Sequence, residues 1–387
     1  MVSEFLASGV RRPQPFGSPV LYTRPLLPDL ESLQGHLEDV WRAQYLTNGG
    51  QKAQELEKRL RALLGAQHLS LHANGTLALA LALRAMNLSG EVITTPFTFA
   101  ATPNSIVLAG LTPVFADIDP DSFNLDPAAV EAAITPETSA ILAVHVFGRV
   151  CDVEGLQRVA DKHGLKLLYD AAHAFGAEID GRPISSFGDA VMYSLHATKL
   201  FHTAEGGALA TWDADLHARI ERSRNFGFGP DGLVEAAGMN SKMSELNALL
   251  GLEVLPLVEE ERRKRTNVAA IYRSRLSQAP GVFIPEPQDG VVDSRQYFPI
   301  FIREAEFGLS RDALVDAMAE FNVIARRYFY PLCSEFPAYA ANAAGSHLPV
   351  ARHVVQEVMC LPYFGGLSDD DAQRICDIIL FIHQGGR

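Results

Sequence analysis

Lys199 is the residue of this sequence with the strongest potential for covalent chemistry. It lies in YSLHATKLFHTAEGG (193–207) and follows the apolar, strand-like run AVMYSL. A typical lysine is exposed and protonated, whereas a desolvated lysine or one beside another cation becomes a nucleophile. Ser194, His196 and Thr198 crowd the same end of the run. The stretch therefore predicts either a surface lysine or an amine held at a strand end for catalysis.

Asp170 and the pair Gly75-Thr76 are two further candidates for a functional site. Asp170 lies at the end of an apolar run, and Gly75-Thr76 lies at the beginning of one. Asp170 ends LKLLYD, and ligands of parallel α/β sheets bind beyond the carboxyl ends of the strands. Its carboxylate is either a helix cap or a ligand-facing charge. Gly75-Thr76, in HANGTLALALAL, opens a helical segment whose first amides favour a phosphate group. An ordinary Asn or Thr cap is the alternative.

Together, these three features match the needs of pyridoxal phosphate. The helix start anchors the phosphate, the lysine forms a Schiff base with the aldehyde, and the carboxylate keeps the pyridine nitrogen protonated. An aromatic side chain should lie flat against the ring. Phe97 and Phe99, in TTPFTFAAT, are the candidates for this contact, and core packing is the alternative for both.

The elements that must position these residues alternate between strand-like and helical segments from about residue 66 to 210. The strand-like runs are EVITTP, TPVFADI, SAILAVHVF, LKLLYD and AVMYSL. This alternation predicts an α/β fold with a mostly parallel central sheet. In TLALALALRAM (76–86) Leu and Ala alternate as in a strand, but both are strong helix formers and no β-branched residue follows Thr76. We therefore predict a buried helix there.

The second part of the chain predicts a smaller unit. Residues 241–276 are helical in pattern, are interrupted near Pro256, and change from apolar to highly charged. The strand-like QYFPIFI and two amphipathic stretches, RDALVDAMAEF and DDDAQRICDIILFIH, follow. We predict an N-terminal arm over 1–20, a large cofactor-binding domain over 21–255 and a small C-terminal α/β domain over 256–387.

Charge and composition exclude several classes of protein. The net charge of −13 argues against a nucleic-acid binder. The apolar runs are far shorter than the ~20 residues needed to cross a bilayer, and the N-terminus lacks the apolar core of a secretory signal. We therefore expect a cytoplasmic protein. Its four cysteines are scattered without a CxxC pair, which argues against a disulfide framework or a zinc site.

Two further motifs are weak. Gly227, Gly229 and Gly232 match GxGxxG, but the segment before them is helical and a dinucleotide fingerprint needs a strand there. His196 and His202 are six residues apart, which is not a spacing typical of metal ligands. We predict no metal site.

The order of motifs along the chain resembles the DegT/StrS family of pyridoxal-phosphate-dependent nucleotide-sugar aminotransferases, which share the type I aminotransferase fold. The motifs that carry the resemblance run from near residue 45 to the late LPYF, and they are YLTNGGQKAQELEKRL, NGTLAL, PFTFAAT, PVFADID, HVFG, DAAHAFG, SLHATK, EGGAL and GMNSKMSELNA. Relatives that act as sugar dehydratases carry histidine in place of the lysine, so Lys199 indicates a transaminase.

The resemblance implies a role for each of eight positions. Lys199 binds the cofactor covalently and transfers the proton between cofactor and substrate carbons. The other seven contact the cofactor: Asp170 at the pyridine nitrogen, His173 near the ring oxygen, Phe99 on the ring, Gly75, Thr76 and Ser194 at the phosphate, and Asn240 at the phosphate of the partner subunit. A homodimer with shared active sites follows from the last of these.

The closest resemblance is to enzymes that use glutamate to aminate C4 of dTDP-4-keto-6-deoxy-D-glucose. They make dTDP-4-amino-4,6-dideoxy-D-glucose for surface polysaccharides such as O-antigen. Amination at C3, or of another nucleotide keto-sugar, is the alternative within this class. A non-catalytic regulator with the same fold is the alternative from another class, and the intact Lys199 and Asp170 argue against it.

Overall fold

The computed structural model describes residues 12–343 and 345–386, so the first eleven residues of the predicted arm lie outside it. Its strands are short, and in chain order they are β1 (Val20–Leu21), β2 (His68–His72), β3 (Glu91–Thr94), β4 (Thr112–Phe115), β5 (Thr138–Val144), β6 (Lys166–Asp170), β7 (Glu178–Ile179), β8 (Arg182–Pro183), β9 (Ala190–Ser194), β10 (Gly207–Thr211), β11 (Val282–Phe283), β12 (Val291–Val292), β13 (Pro299–Ile302), β14 (Val323–Ile324) and β15 (Val358–Cys360).

The helices lie between these strands and form most of the second part of the chain. In chain order they are α1 (Leu30–Ala43), α2 (Gln51–Leu63), α3 (Gly75–Ala85), α4 (Ala101–Leu108), α5 (Pro127–Ala132), α6 (Val153–His163), α7 (Ala214–Ser223), α8 (Glu245–Val254), α9 (Val258–Leu276), α10 (Glu304–Phe307), α11 (Arg311–Ala319), α12 (Pro349–Glu357) and α13 (Asp369–His383). Among the residues that the structure describes, no helix is both long and apolar enough to cross a membrane.

The central sheet has seven strands in the order β2-β10-β9-β6-β5-β3-β4. The pairs from β9 to β4 are all parallel, and β10 runs antiparallel to both of its neighbours. The predicted mostly parallel sheet is therefore confirmed. The carboxyl ends of β5, β6 and β9 meet at one edge, because parallel neighbours end on the same side. Asp170 and Ser194 are the last residues of β6 and β9.

Helix α3 is the predicted Leu-Ala helix, and its prediction is confirmed. It begins at Gly75, and the side chain of Asn74 caps it by accepting a hydrogen bond from the Leu77 amide at 2.9 Å. Seven of its residues after Thr76 are buried. A helix that is apolar on all sides must be covered on all sides, which explains the absence of a polar face in the sequence.

The second part of the chain forms the predicted smaller α/β unit. The interruption near Pro256 is a 3₁₀ turn over Leu255–Leu257 that joins α8 to α9. Strands β11, β13 and β15 form an antiparallel sheet, and α9, α11 and α13 contribute to its apolar core. Phe16 and Val20 are buried in the same core, and β1 pairs with β14. The limits at residues 20 and 255 stay a prediction.

The glycines of the GxGxxG match lie in the loop that follows α7. The loop returns on itself through bridges between Phe228 and Val234 and between Asn225 and Asn240. Because a helix and not a strand precedes this loop, the structure excludes the dinucleotide fingerprint.

Candidate active site

A cavity of about 300 Å³ opens at the carboxyl edge of the central sheet. It is lined by seven of the eight residues that the sequence singled out, namely Gly75, Thr76, Phe99, Asp170, His173, Ser194 and Lys199. They come from four separate stretches of the sequence. The fold therefore brings together the lysine, the carboxylate and the helix start that were predicted to act as one site.

One end of the cavity is formed by the start of α3. The amides of Gly75 and Thr76 lie in its first turn and have no acceptor within the helix. Strand β10 approaches this turn closely at Gly207, where a Cβ atom would lie 2.6 Å from the carbonyl carbon of Asn74 and 2.8 Å from the Gly75 nitrogen. Only glycine allows this approach. The free amides at the start of α3 suit a phosphate group.

Asp170 also lines the cavity and is 4% exposed. Two donors orient its carboxylate: the Thr102 hydroxyl donates to Oδ2 at 2.9 Å, and the Ala172 amide donates to Oδ1 at 3.0 Å. Burial raises the pKa of Asp170, while these two hydrogen bonds and the nearby Lys199 oppose the rise. Among the described residues Asp170 accepts these hydrogen bonds and forms no salt bridge, so a cationic ligand group would find an oriented carboxylate.

Lys199 lies in a turn just after β9, and its ammonium group points toward an aromatic residue from the second part of the chain. Its Nζ donates to the Tyr297 hydroxyl at 3.3 Å. The side chain of Gln296 holds this turn on both sides of the lysine, because it accepts from the Leu200 amide and donates to the Thr198 carbonyl. The backbone around the lysine is thereby fixed while its amine faces the cavity.

His173 is 3% exposed and is packed between aromatic rings. Its ring stacks on Phe329 with 5.6 Å between centroids, and it meets Tyr297 edge-on at 4.9 Å. Burial lowers the pKa of His173 well below its ordinary value, so the ring is neutral. The Phe147 amide donates to Nδ1 at 3.3 Å, which leaves the ring proton on Nε2. His173 can therefore donate a hydrogen bond to an acceptor in the cavity.

The structure separates the two phenylalanines between which the residues alone did not decide. Phe99 is 59% exposed and borders the cavity. Phe97 is fully buried and packs edge-on against Phe147 and Phe329. Phe99 is thus the one available to lie against a bound ring, and Phe97 belongs to the core.

The two histidines that flank Lys199 have different environments. His196 lines the cavity, and its Nδ1 forms a hydrogen bond with the Thr198 hydroxyl at 2.9 Å. His202 is buried and forms a hydrogen bond with the Leu26 carbonyl at 2.8 Å. It therefore anchors the segment after Lys199 to the chain near Leu26. His196 was not among the predicted site residues.

Asn240 is the one predicted site residue that does not line the cavity. It is exposed, and its Oδ1 accepts from Lys242 Nζ at 2.9 Å. The loop before it carries exposed apolar side chains at Phe226, Phe228 and Leu233. The predicted contact of Asn240 with a partner subunit's cofactor stays a prediction.

Several residues of the site were missed by the sequence reasoning. Gly207, Tyr297 and Arg326 do not follow the carboxyl end of a predicted strand, and Thr102 lies a few residues beyond the run EVITTP. Thr102 acts on the cavity through Asp170, Gly207 starts an antiparallel strand, and the other two come from the second part of the chain. The concentration of aromatic residues in QYFPIFI and RRYFYPL was the one available signal for that part.

The sequence and the fold have counterparts among known proteins. The family model for the DegT/DnrJ/EryC1/StrS aminotransferase family matches residues 29–380. The chain belongs to this family. Its members depend on pyridoxal phosphate, and the chain is therefore a pyridoxal-phosphate-dependent aminotransferase with the type I fold.

Individual relatives agree with this assignment. The chain is 42% identical over 361 residues to a dTDP-4-amino-4,6-dideoxy-D-glucose transaminase of Shigella dysenteriae, and the match covers 93% of this chain and 98% of the relative. The crystal structure of DesI in the presence of its TDP-sugar product is similar with a TM-score of 0.92 and 42% identity, over 96% of this chain and 95% of DesI. The structure of NtdA from Bacillus subtilis with bound PMP matches with a TM-score of 0.84 and 26% identity, over 92% and 82% of the two chains.

Proposed function

We propose that this enzyme transfers the amino group of glutamate to C4 of dTDP-4-keto-6-deoxy-D-glucose and thereby makes dTDP-4-amino-4,6-dideoxy-D-glucose. The observation that carries the proposal is the meeting of Lys199, Asp170 and the start of α3 in one cavity. The choice of this sugar rests on relatives named for it that are 42% and 41% identical over nearly the whole chain. The product would enter a surface polysaccharide such as O-antigen, and the reaction would take place in the cytoplasm.

The residues of the cavity suit the cofactor that the family uses. The amides of Gly75 and Thr76 with the hydroxyl of Ser194 would bind the phosphate, and Phe99 would cover the ring. Asp170 would hold the pyridine nitrogen in its protonated form. When bound, the cofactor supplies an electron sink for the carbon that loses or gains a proton.

The chain itself supplies the proton transfer and the orientation. The amine of Lys199 is the basic group that faces the cavity, so it would take the proton from the donor carbon and return one to the sugar carbon. Tyr297 accepts a hydrogen bond from this amine and would direct it. His173, with its proton on Nε2, would donate to the ring oxygen of the cofactor.

We also propose that the active enzyme is a homodimer in which Asn240 reaches the cofactor phosphate of the partner subunit. Its exposed position outside its own cavity and the exposed apolar side chains of the preceding loop support this. An Asn240→Ala variant should bind the cofactor more weakly and keep its dimeric mass in sedimentation. Wild-type protein that sediments as a monomer at assay concentration would contradict the proposal.

The decisive experiment identifies the product. Purified enzyme is incubated with glutamate and a panel of nucleotide keto-sugars that includes 3-keto and 4-keto sugars, and NMR locates the new amine. We expect an amine at C4 of the dTDP sugar. An amine at C3, or turnover with a different nucleotide sugar alone, would replace the proposed substrate by the alternative.

A second test addresses the non-catalytic alternative. Purified wild type should be yellow, and borohydride should fix the cofactor covalently on Lys199, as shown by the mass of the peptide that contains it. Lys199→Ala should bind the cofactor without covalent fixation and lose turnover. Colourless protein that takes up no added cofactor would support a regulator with the same fold.

A further inference from the structure

Arg326 lines the active-site cavity and is held by its backbone and by aromatic rings. Its amide donates to the Cys360 carbonyl at 3.0 Å, and its carbonyl accepts from the Cys360 amide at 2.8 Å. The guanidinium carbon lies 5.4 Å from the ring centre of Tyr22 and 5.3 Å from that of Tyr328. Aromatic faces attract a cation and leave the in-plane N–H groups of a guanidinium free for an acceptor.

Those N–H groups have no acceptor within residues 12–343 and 345–386, and the neighbouring arginine shows the contrast. Arg327 Nε lies 2.7 Å from Asp312 Oδ1, and its Nη2 lies 2.5 Å from Asp316 Oδ1. Two adjacent arginines thus have opposite environments: one is neutralised by two carboxylates outside the cavity, and the other faces the cavity with its charge uncompensated. In a chain with a net charge of −13, a positive charge of this kind attracts an anionic ligand group.

We propose that Arg326 binds the carboxylate of the amino-acid donor. The inference rests on the proposed function and names the residue that selects its first substrate. A guanidinium matches a planar carboxylate through two parallel hydrogen bonds. Among the described residues that line the cavity, Arg326 is the only arginine. One arginine can neutralise a single carboxylate, whereas the diphosphate of a sugar nucleotide carries more charge than one arginine neutralises. The single guanidinium therefore suits the amino acid better than the diphosphate.

The position of Arg326 relative to Lys199 suits a small substrate. The ring of Tyr328, which packs against the guanidinium, lies 5.2 Å from the ring of Tyr297. The hydroxyl of Tyr297 in turn accepts from Lys199 Nζ. Two packed aromatic side chains therefore separate the cation from the reactive amine. An amino acid bound by its carboxylate at Arg326 can direct its own amine toward the cofactor beside Lys199.

The test measures binding to the holoenzyme by calorimetry, with glutarate as a dicarboxylate that has no amine to transfer. Arg326→Gln should bind glutarate at least about tenfold more weakly than the wild type, because a charge-assisted hydrogen-bonded pair is lost. Arg326→Lys should recover part of the affinity, since lysine keeps the positive charge but lacks the two parallel N–H donors of the guanidinium. Arg327→Gln is the matched control and should bind like the wild type.

A second arm distinguishes the two anionic groups that could use this arginine. Thymidine diphosphate should bind to Arg326→Gln and to the wild type with affinities within about threefold of each other. A larger loss for thymidine diphosphate than for glutarate would assign the arginine to the sugar nucleotide and overturn the inference. Glutarate binding that is absent in the wild type, or unchanged in Arg326→Gln, would overturn it as well.

The single-turnover reaction with glutamate separates this inference from the proposed function. Loss of the cofactor's visible absorption should need a higher glutamate concentration in Arg326→Gln, with its maximal rate changed less than its half-saturation. If the wild type shows no reaction with glutamate or any nucleotide sugar, the proposed function fails. If the wild type reacts and Arg326→Gln has the same half-saturation, only the assignment of Arg326 fails.

Discussion

Thr102→Val tests how the fold stabilises the ionised form of Asp170 in a buried site. The Thr102 hydroxyl donates to Asp170 Oδ2 at 2.9 Å and is fully buried. Valine has nearly the same shape but no donor. A hydrogen bond to a charged group contributes about 1.5–3 kcal/mol, which corresponds to a factor of about 10 to 150 in an equilibrium constant. The substitution destabilises the ionised carboxylate selectively and so raises the pKa of Asp170 further.

The sign of the pH dependence follows from that rise. Burial already raises the pKa of Asp170 in the protein, and in the proposed site the protonated cofactor nitrogen would pair with the ionised carboxylate. Below the pKa, Asp170 must lose a proton before it pairs, so cofactor affinity falls as the pH falls. In Thr102→Val this loss begins at a higher pH. Well above the pKa, Asp170 is ionised both with and without cofactor, and the effect of the lost hydrogen bond largely cancels.

The assay is a titration of apoenzyme with pyridoxal phosphate from about pH 5 to about pH 8, the range in which most proteins are most stable. The ratio of the dissociation constants of variant and wild type removes the titration of the free cofactor. We expect this ratio to increase as the pH falls, toward a limit of about 10 to 150, and to approach one at the alkaline end. Thr94→Val is the matched control, because Thr94 is also fully buried but donates to the Leu142 carbonyl.

Thr94→Val should lower the free energy of unfolding by about 1 kcal/mol and leave the ratio near one at every pH. The reasoning is refuted if Thr102→Val shows a ratio that does not change with pH, or if Thr94→Val shows the same acid-side loss. Either result would mean that the hydroxyl supports the packing of the sheet and not the charge of Asp170.

Three further predictions concern the phosphate end, the amine and the ring contact. Gly207→Ala places a Cβ against the backbone ahead of α3 and should weaken cofactor binding by about 1–3 kcal/mol in the same titration. Tyr297→Phe removes the acceptor of Lys199 Nζ and should lower kcat about two- to tenfold with little change in cofactor affinity. Phe99→Ala should weaken cofactor binding by about 0.5–1.5 kcal/mol without loss of stability. Phe97→Ala, at a buried position, should instead lower the free energy of unfolding by about 3–5 kcal/mol. Equal unfolding midpoints for these two variants would contradict the assignment of Phe99 to the cofactor and Phe97 to the core.

The sequence predicted the half of the site that follows local rules. Asp170 ends an apolar run, Lys199 lies a few residues beyond one, and Gly75 follows a capping residue, so strand ends and helix starts could be read from neighbours in the chain. Strand β10 was not among the predicted runs, because GALAT consists mainly of small residues with weak strand preference. Without that strand, the close approach of Gly207 to the start of α3 could not be foreseen.

The other half of the site depends on contacts between distant parts of the chain. Tyr22 reaches the cavity because β1 pairs with β14, more than 300 residues later in the sequence, as the register of Val20 with Val323 shows. The choice between Phe97 and Phe99 also needed burial, since both have the same neighbours in sequence and only packing against Phe147 and Phe329 separates them. The hydrophobic periodicity of a single segment predicts its own secondary structure but not its contacts with distant segments.

The proposed cofactor contacts and the proposed donor contact come from different parts of the chain that meet in one cavity. The groups suited to the cofactor, such as Asp170 and the start of α3, belong to the central sheet and its helices, where each is fixed by hydrogen bonds. Tyr22 and Arg326 belong to the segments joined by β1 and β14 and are held by ring contacts and a short backbone bridge. Because the hydrogen-bond donors to Asp170 and the rings that contact Arg326 are different residues, a change at Arg326 can alter substrate preference without disturbing Asp170. Arg326→Gln and Thr102→Val should therefore act additively, the first on donor binding and the second on cofactor affinity.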